Sequence, residues 1–529
     1  MEKILSNKKF ENIVKEKEIK ESSYITTTYI LIIFGIFPLV FNNYYFNILT
    51  FKYQFYSFVT SLYIVSIIIN KLRYAKKISF KINLKKLSLP EIFILIFMFI
   101  TILSTLQSNY IYESFWGNEG RYTGCFTLLL YCISFLLVYK YFRFNKFILY
   151  IFLLSGILVC WFGITDYFQL DILKFKVNML PTQLNMFMST IGNINTYTSY
   201  VALIMAISSV LFAVEKTHWK MLLYFMCMIT SFFAIMMGLS DNSYLSIMAL
   251  FGLLPLYLFK TKTGFRRYLL IVTTFVGVAY SILIINNYLS DKVLKMQGVL
   301  QELPEQGIKI LLLIMIGITA SIYIWNFLDK SINEDLGNIW VKIWTIILLF
   351  IVAAFLFMLY DVNINSNINR YGGLREYLLF NDDWGTHRGY NWRIGLENYS
   401  RFPVIHKIFG YGPDTYGILT HFNNFKDMAV KYNETYDSAH NEYLQYFITM
   451  GPLSLISYLG FLCSSMISLA KKTKGNVYAV SVIFAVMCYC IQAFVNISVP
   501  IVTPIIFAML ATGLASEEGG IKGSKEKCI

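Results

Sequence analysis

Apolar runs close to the roughly 20 residues that carry a helix across about 30 Å of hydrocarbon recur from Ser23 to Ala515. They predict spans at approximately 24–42, 54–70, 90–107, 123–142, 146–164, 196–214, 220–238, 243–260, 268–286, 307–328, 340–360, 441–470, 476–496 and 500–516. The expected fold class is therefore all-α, a polytopic integral membrane protein with about fourteen transmembrane helices. One stretch breaks the rhythm. Residues 361–440 are polar and too long for a simple connector, so they form one large loop on the bundle. The expected organisation is a tail over 1–22, eleven helices over 23–360, the loop over 361–440, three helices over 441–516 and a second tail over 517–529.

Charge sets the orientation. KLRYAKK, KYFRFNK, EKTHWK, KTKTGFRR and KKTKG fall on one side of the predicted bundle and are the basic loops that stay in the cytoplasm, with both termini. SFWGNEGR, DYFQLDILKFKVNMLPTQ, SDNS, NNYLSDKVLK, the 361–440 segment and NISVP fall on the other, extracytoplasmic side. The first 22 residues alternate Lys and Glu without an apolar core, so they predict a solvated tail and an uncleaved first span.

Composition excludes several classes. At 57% hydrophobic and 14% charged residues, the chain is too apolar for a soluble globular surface. The net charge of +14 sits mostly in short loops between spans, which reads as topology and not as binding of nucleic acid. All eight cysteines, Cys125, Cys132, Cys160, Cys227, Cys463, Cys488, Cys490 and Cys528, fall in predicted spans or in the last residues, with no disulfide or metal-ligand spacing in the outer loops. No GxxxxGK[ST] phosphate loop is present, which argues against ATP-driven export. Abundant Ile, Asn, Lys and Tyr point to an AT-rich bacterial genome.

Candidate chemistry gathers in the large loop, which holds four of the five histidines, His387, His406, His421 and His440. RGYNWRIGLENYSRFP predicts a short amphipathic helix with Trp392, Leu396 and Tyr399 on one apolar stripe along the membrane surface. Arg388 and Arg393 lie on or near it. An Arg fork suits phosphate oxygens, and Arg393 has the alternative of pairing with Glu397 at i, i+4. FGYGPDTYG marks a tight turn. In YDSAHNEYLQYF, Asp437 or Ser438 is the expected cap of the next helix, with His440, Asn441 and Glu442 in a first turn that favours an anion. His440 is a candidate base and Glu442 a second one. Two smaller outer clusters are WGNEGRYTG, with Glu119 and Arg121, and STIGNINTYTSY, with Asn193 and Asn195. Their amides and aromatics suit sugars, although Trp and Tyr also gather at any membrane interface.

In this order, WGNEGRYTG, STIGNINTYTSY, RGYNWRIGLENYSRFP, FGYGPDTYG and AHNEYLQYFITMGPLSLISYLGF resemble the O-antigen ligase and polymerase family of bacterial membrane glycosyltransferases, from Trp116 to Phe461. The resemblance implies a GT-C-like enzyme that takes a polyprenyl-diphosphate-linked glycan as donor, needs no metal, cofactor or nucleotide sugar, and transfers to a glycan, lipid or protein acceptor with inversion on the outer face. It places the family's histidine on His440 and its loop arginines on Arg388 and Arg393. Arg121 is a further diphosphate candidate, and Asn441, Glu442, Asp437 and Asn193 are supporting ones. One position departs from the pattern: many relatives carry an arginine after a serine where this chain reads Leu239-Ser240-Asp241-Asn242-Ser243. The rival readings are a protein O-oligosaccharyltransferase and a flippase or exporter of lipid-linked glycan. The last predicts ionisable residues along a path through the bundle, whereas here they collect in an outer loop.

Overall fold

The computed structural model describes residues 2–43, 45–74, 87–172, 174–181, 183–295, 304–328 and 334–516; the expected tail over 517–529 lies outside them. Among the described residues, ten helices are long and apolar enough to cross a membrane: Ile48–Tyr74, Leu89–Leu106, Lys146–Tyr167, Ile194–Val214, His218–Met236, Lys262–Tyr288, Glu305–Trp325, Ile339–Asn363, Glu442–Ala470 and Val477–Val495. Three shorter apolar helices, Cys125–Tyr141, Asn242–Leu258 and Thr503–Ala515, occupy three more of the predicted positions. The first predicted span is the second half of the Glu2–Leu31 helix followed by π turns over Ile32–Ile36. The chain is an all-α, multi-pass membrane protein. Its described strands are a two-residue pair, with Phe187 opposite Asn193 and Met188 opposite Gly192.

Residues 2–22, the expected tail, are helical. They are the opening turns of the first helix. Lys and Glu are good helix formers, and Glu16–Lys20 and Lys17–Glu21 are spaced at i, i+4. The second helix holds this extension: Asn70 Nδ2 donates to Glu18 O at 3.1 Å and to Ser22 Oγ at 3.0 Å, and Tyr74 OH donates to Glu21 at 2.6 Å.

The Ile194–Val214 helix runs through the centre, with every residue from Thr196 to Ala213 buried. The Ile339–Asn363 helix stands at the edge and leaves Ile346, Leu349, Phe350 and Leu356 more than half exposed, a surface suited to lipid. The Glu442–Ala470 helix breaks at Gly451 (φ +79°), just before Pro452. A Cβ there would lie 1.9 Å from Ile408 O, so the break lets the short Val404–Phe409 helix lie directly against the span.

The amphipathic helix of the loop exists as Trp384–Ser400, and the face it buries inside the loop lies apart from the expected apolar stripe. Tyr390, Asn391, Ile394, Gly395 and Asn398 are buried, while Leu396 of the expected apolar stripe is 47% exposed. The polar face wins because its groups are paired inside the loop. Tyr390 OH donates to Asp427 at 2.8 Å, Asn398 Nδ2 to Asn424 Oδ1 at 2.9 Å, and Asn423 Nδ2 to Asn398 Oδ1 at 2.8 Å. These bind it to the Tyr416–Tyr432 helix, and buried amides so satisfied carry no desolvation penalty.

Candidate active site

The FGYGPD turn is the joint of the loop-bearing end of the bundle. Gly410 (φ +68°) presses against the broken span, where an added Cβ would meet Thr449 O at 1.9 Å. Gly412 N donates to Thr449 O at 2.9 Å, Ser104 Oγ donates to Phe409 O and Gln107 Nε2 to Gly410 O. His406 is part of this joint: it is buried, stacks on Tyr411 with ring centroids 3.7 Å apart, and its Nδ1 lies 2.8 Å from Gly410 O.

Asp414 ends the turn and gathers in the WGNEGRYTG loop. Its Oδ2 accepts from Asn118 N at 2.8 Å and Thr123 N at 3.1 Å, and Asn118 Nδ2 donates to Asp414 O. Its Oδ1 is buried without a hydrogen-bond partner. Burial pushes this carboxyl up to about 7, against the backbone N–H groups that favour its charge. The loop so shaped carries Arg121, whose Nη2 reaches Asp437 Oδ1 at 2.6 Å. Segments far apart in sequence thereby meet three residues before His440.

The helix after the loop is capped by Asn441, not by Asp437 or Ser438. Asn441 Oδ1 accepts from Tyr443 N and Leu444 N, both at 3.0 Å. The helix begins at Glu442, so His440 lies outside its first turn, in the left-handed region at φ +48°. The chain before it is held by side chains from other segments. Asn391 Nδ2 donates to Ser438 O at 2.6 Å, Trp392 Nε1 to Ala439 O at 2.8 Å, and Ala439 N to Gln445 Oε1 at 2.8 Å.

His440 is held neutral. Burial lowers its pKa to about 3, the nearby Arg121 and Arg388 guanidiniums act in the same direction, and Asp437 opposes them. Arg388 is anchored through Nη1 on Gly385 O at 2.6 Å, and the Asp241 carboxylate opposes the lowering that burial imposes on it. The Nε groups of Arg121 and Arg388 are buried without a hydrogen-bond partner. A neutral imidazole under the influence of two guanidiniums is an arrangement that can hold an anion and accept a proton.

Residues 305–459, which include the whole large loop and the start of the following helix, match the family model described as O-antigen ligase. This stretch is similar to the O-antigen ligase family. No curated protein matches the chain. His440, Arg388 and Asp437 lie within the matched stretch, whereas Arg121 and Asn193 lie before it.

The remaining sequence candidates are placed as follows. Arg393, in the matched stretch, takes the ion-pair alternative: it meets Asp382 at 2.7 Å and Glu397 at 2.8 Å, and its guanidinium lies over the Tyr390 ring. Glu442 is buried beneath His440 and accepts from Tyr458 OH at 2.6 Å and Tyr489 OH at 2.7 Å, so its oxygens face the bundle and not the loop. Asn193 caps the Ile194–Val214 helix, accepting from Asn195 N at 2.9 Å, while Asn195 Oδ1 accepts from Ser240 Oγ at 2.6 Å. Of the other loop histidines, His387 lies 3.7 Å from Glu434 and His421 packs on Phe425. Among the described residues no group of three His, Cys, Asp or Glu side chains is arranged to hold a metal ion. Sequence reasoning passed over Asn391, Trp392, Asp414 and Tyr416. Their motifs stood out, but the role of each rests on main-chain partners far away in sequence.

Proposed function

We propose that the chain is an inverting, metal-independent glycosyltransferase of the O-antigen ligase or polymerase type, with fourteen crossings in a GT-C-like arrangement. It acts in a bacterial cytoplasmic membrane, with both termini in the cytoplasm, the 361–440 loop outside, and a polyprenyl-diphosphate-linked glycan as donor. The observation that carries this reading is the neutral His440 beside Arg121 and Arg388, whose Nε groups have no partner in the protein.

An acceptor hydroxyl oxygen attacks the anomeric carbon as the bond from that carbon to the diphosphate oxygen breaks. The hydroxyl proton passes to His440, and the bonding electron pair leaves on the diphosphate beside Arg121 and Arg388. His440 is a weak base while two guanidiniums face it. Burial is the larger cause of that weakness, and a bound diphosphate offsets the two charges that add to it. The proton then passes to water when product leaves. Arg393 fastens the loop helix, and Glu442 supports the helix below the histidine.

Deleting the gene and resolving lipid-linked and surface glycans by gel and mass spectrometry tests the reading. Accumulation of outer-leaflet lipid-linked donor supports it. Single repeats with loss of long chains mark a polymerase, and persistent long lipid-linked chains mark a ligase. Donor trapped on the cytoplasmic leaflet would instead show a flippase.

A further inference from the structure

We propose that Trp392 and Asn391 are positioning residues, which hold the Ser438–Ala439 main chain so that the His440 ring keeps its place. The proposal rests on the reading of His440 as the base. Three main-chain groups just before this histidine, Ser438 O, Ala439 O and Ala439 N, are each bonded by a side chain from elsewhere. His440 itself sits at φ +48°, a conformation that a non-glycine residue keeps only when its surroundings over-determine it. A loop that merely needed to close would settle into an ordinary turn.

The clamp is itself oriented. Tyr416 is fully buried, and its OH donates to Asn391 O at 2.6 Å and Oδ1 at 2.8 Å. Because the amide oxygen faces Tyr416, the amide NH2 faces Ser438 O. Trp392 is set by packing against Trp384 and Phe380, with ring centroids 5.3 and 5.8 Å apart, so its N–H is aimed by an aromatic cluster. Both residues act on His440 only through the backbone, and neither is assigned to substrate.

Trp392→Phe keeps a ring in the cluster and removes only the N–H; Tyr416→Phe removes the hydroxyl that aims Asn391. The test uses detergent-solubilised full-length protein and, as probe, the polyprenyl-linked glycan extracted from a strain lacking the gene, with His440→Ala alongside. The charged groups facing His440 are Arg121, Arg388 and Asp437, and a loosened segment moves the imidazole away from both guanidiniums into water. We expect kcat to fall about tenfold in each variant, with donor KM within about twofold and the protein still folded at the assay temperature. A new acid limb should enter kcat/KM between about pH 5 and 7, where a solvated histidine titrates. Wild-type kcat and pH profile in both variants, with His440→Ala inactive, would overturn the positioning role alone. An active His440→Ala, or no turnover of the extracted glycan by wild type, would overturn the underlying reading.

Discussion

Asp414 gives the sharpest test of how the loop-bearing end of the bundle is assembled. Asp414→Ala removes the oxygen shared by Asn118 N and Thr123 N, and each buried donor left unpaired costs about 1–3 kcal/mol. At pH 5, where the folded-state carboxyl is already protonated, this variant should lose about 2–6 kcal/mol. Asp414→Asn keeps an acceptor of the same shape and cannot ionise. The wild-type carboxyl has a folded pKa of about 7 against an ordinary 3.8, so it binds a proton more tightly folded than unfolded. Its contribution is complete below pH 3.8 and is lost as pH rises through 7. Over pH 5 to 7 the wild type should lose about 1.4 kcal/mol per pH unit from this group and the Asn variant nothing. The stability difference should therefore shift by about 2–3 kcal/mol in favour of Asn. Chemical unfolding of the detergent-solubilised protein at several pH values measures this. A difference that stays constant with pH, or an Ala variant as stable as wild type at pH 5, would refute the role given to Asp414.

Further expectations follow from the same geometry. Arg388→Ala should lower kcat/KM about 100-fold, the scale of losing one aligned donor to a leaving group. Arg393→Ala, which breaks half-exposed pairs to Asp382 and Glu397, should cost about 1 kcal/mol or less and leave transfer within about threefold. Gly451→Ala should destabilise by at least about 2–3 kcal/mol in chemical unfolding, since φ +79° and the approach to Ile408 O both exclude a side chain. In wild type, kcat/KM should lack a limb near pH 6.5 because free His440 titrates near 3.

The bundle was legible because its signal is local: apolar runs of membrane length mark helices whatever their neighbours are. Where local patterning competed with pairing, it failed. The helix with the Trp392, Leu396 and Tyr399 stripe was legible, but the face it buries in the loop, where Tyr390, Asn391 and Asn398 find partners, was not. Asp437 and Ser438 looked like caps, but Asn441 reaches two N–H groups and so sets the helix start. The candidate site was half legible. His440 and Arg388 announced themselves by type, whereas the link from Asp414 through the Arg121 loop to Asp437 joins segments some 300 residues apart, beyond any periodicity.

The most direct measurement restores the deleted gene as His440→Ala and follows polyprenyl-linked glycan by leaflet, together with surface polysaccharide. The account predicts donor accumulating on the outer leaflet with product absent, from a protein present at wild-type level. Full transfer by His440→Ala would contradict it.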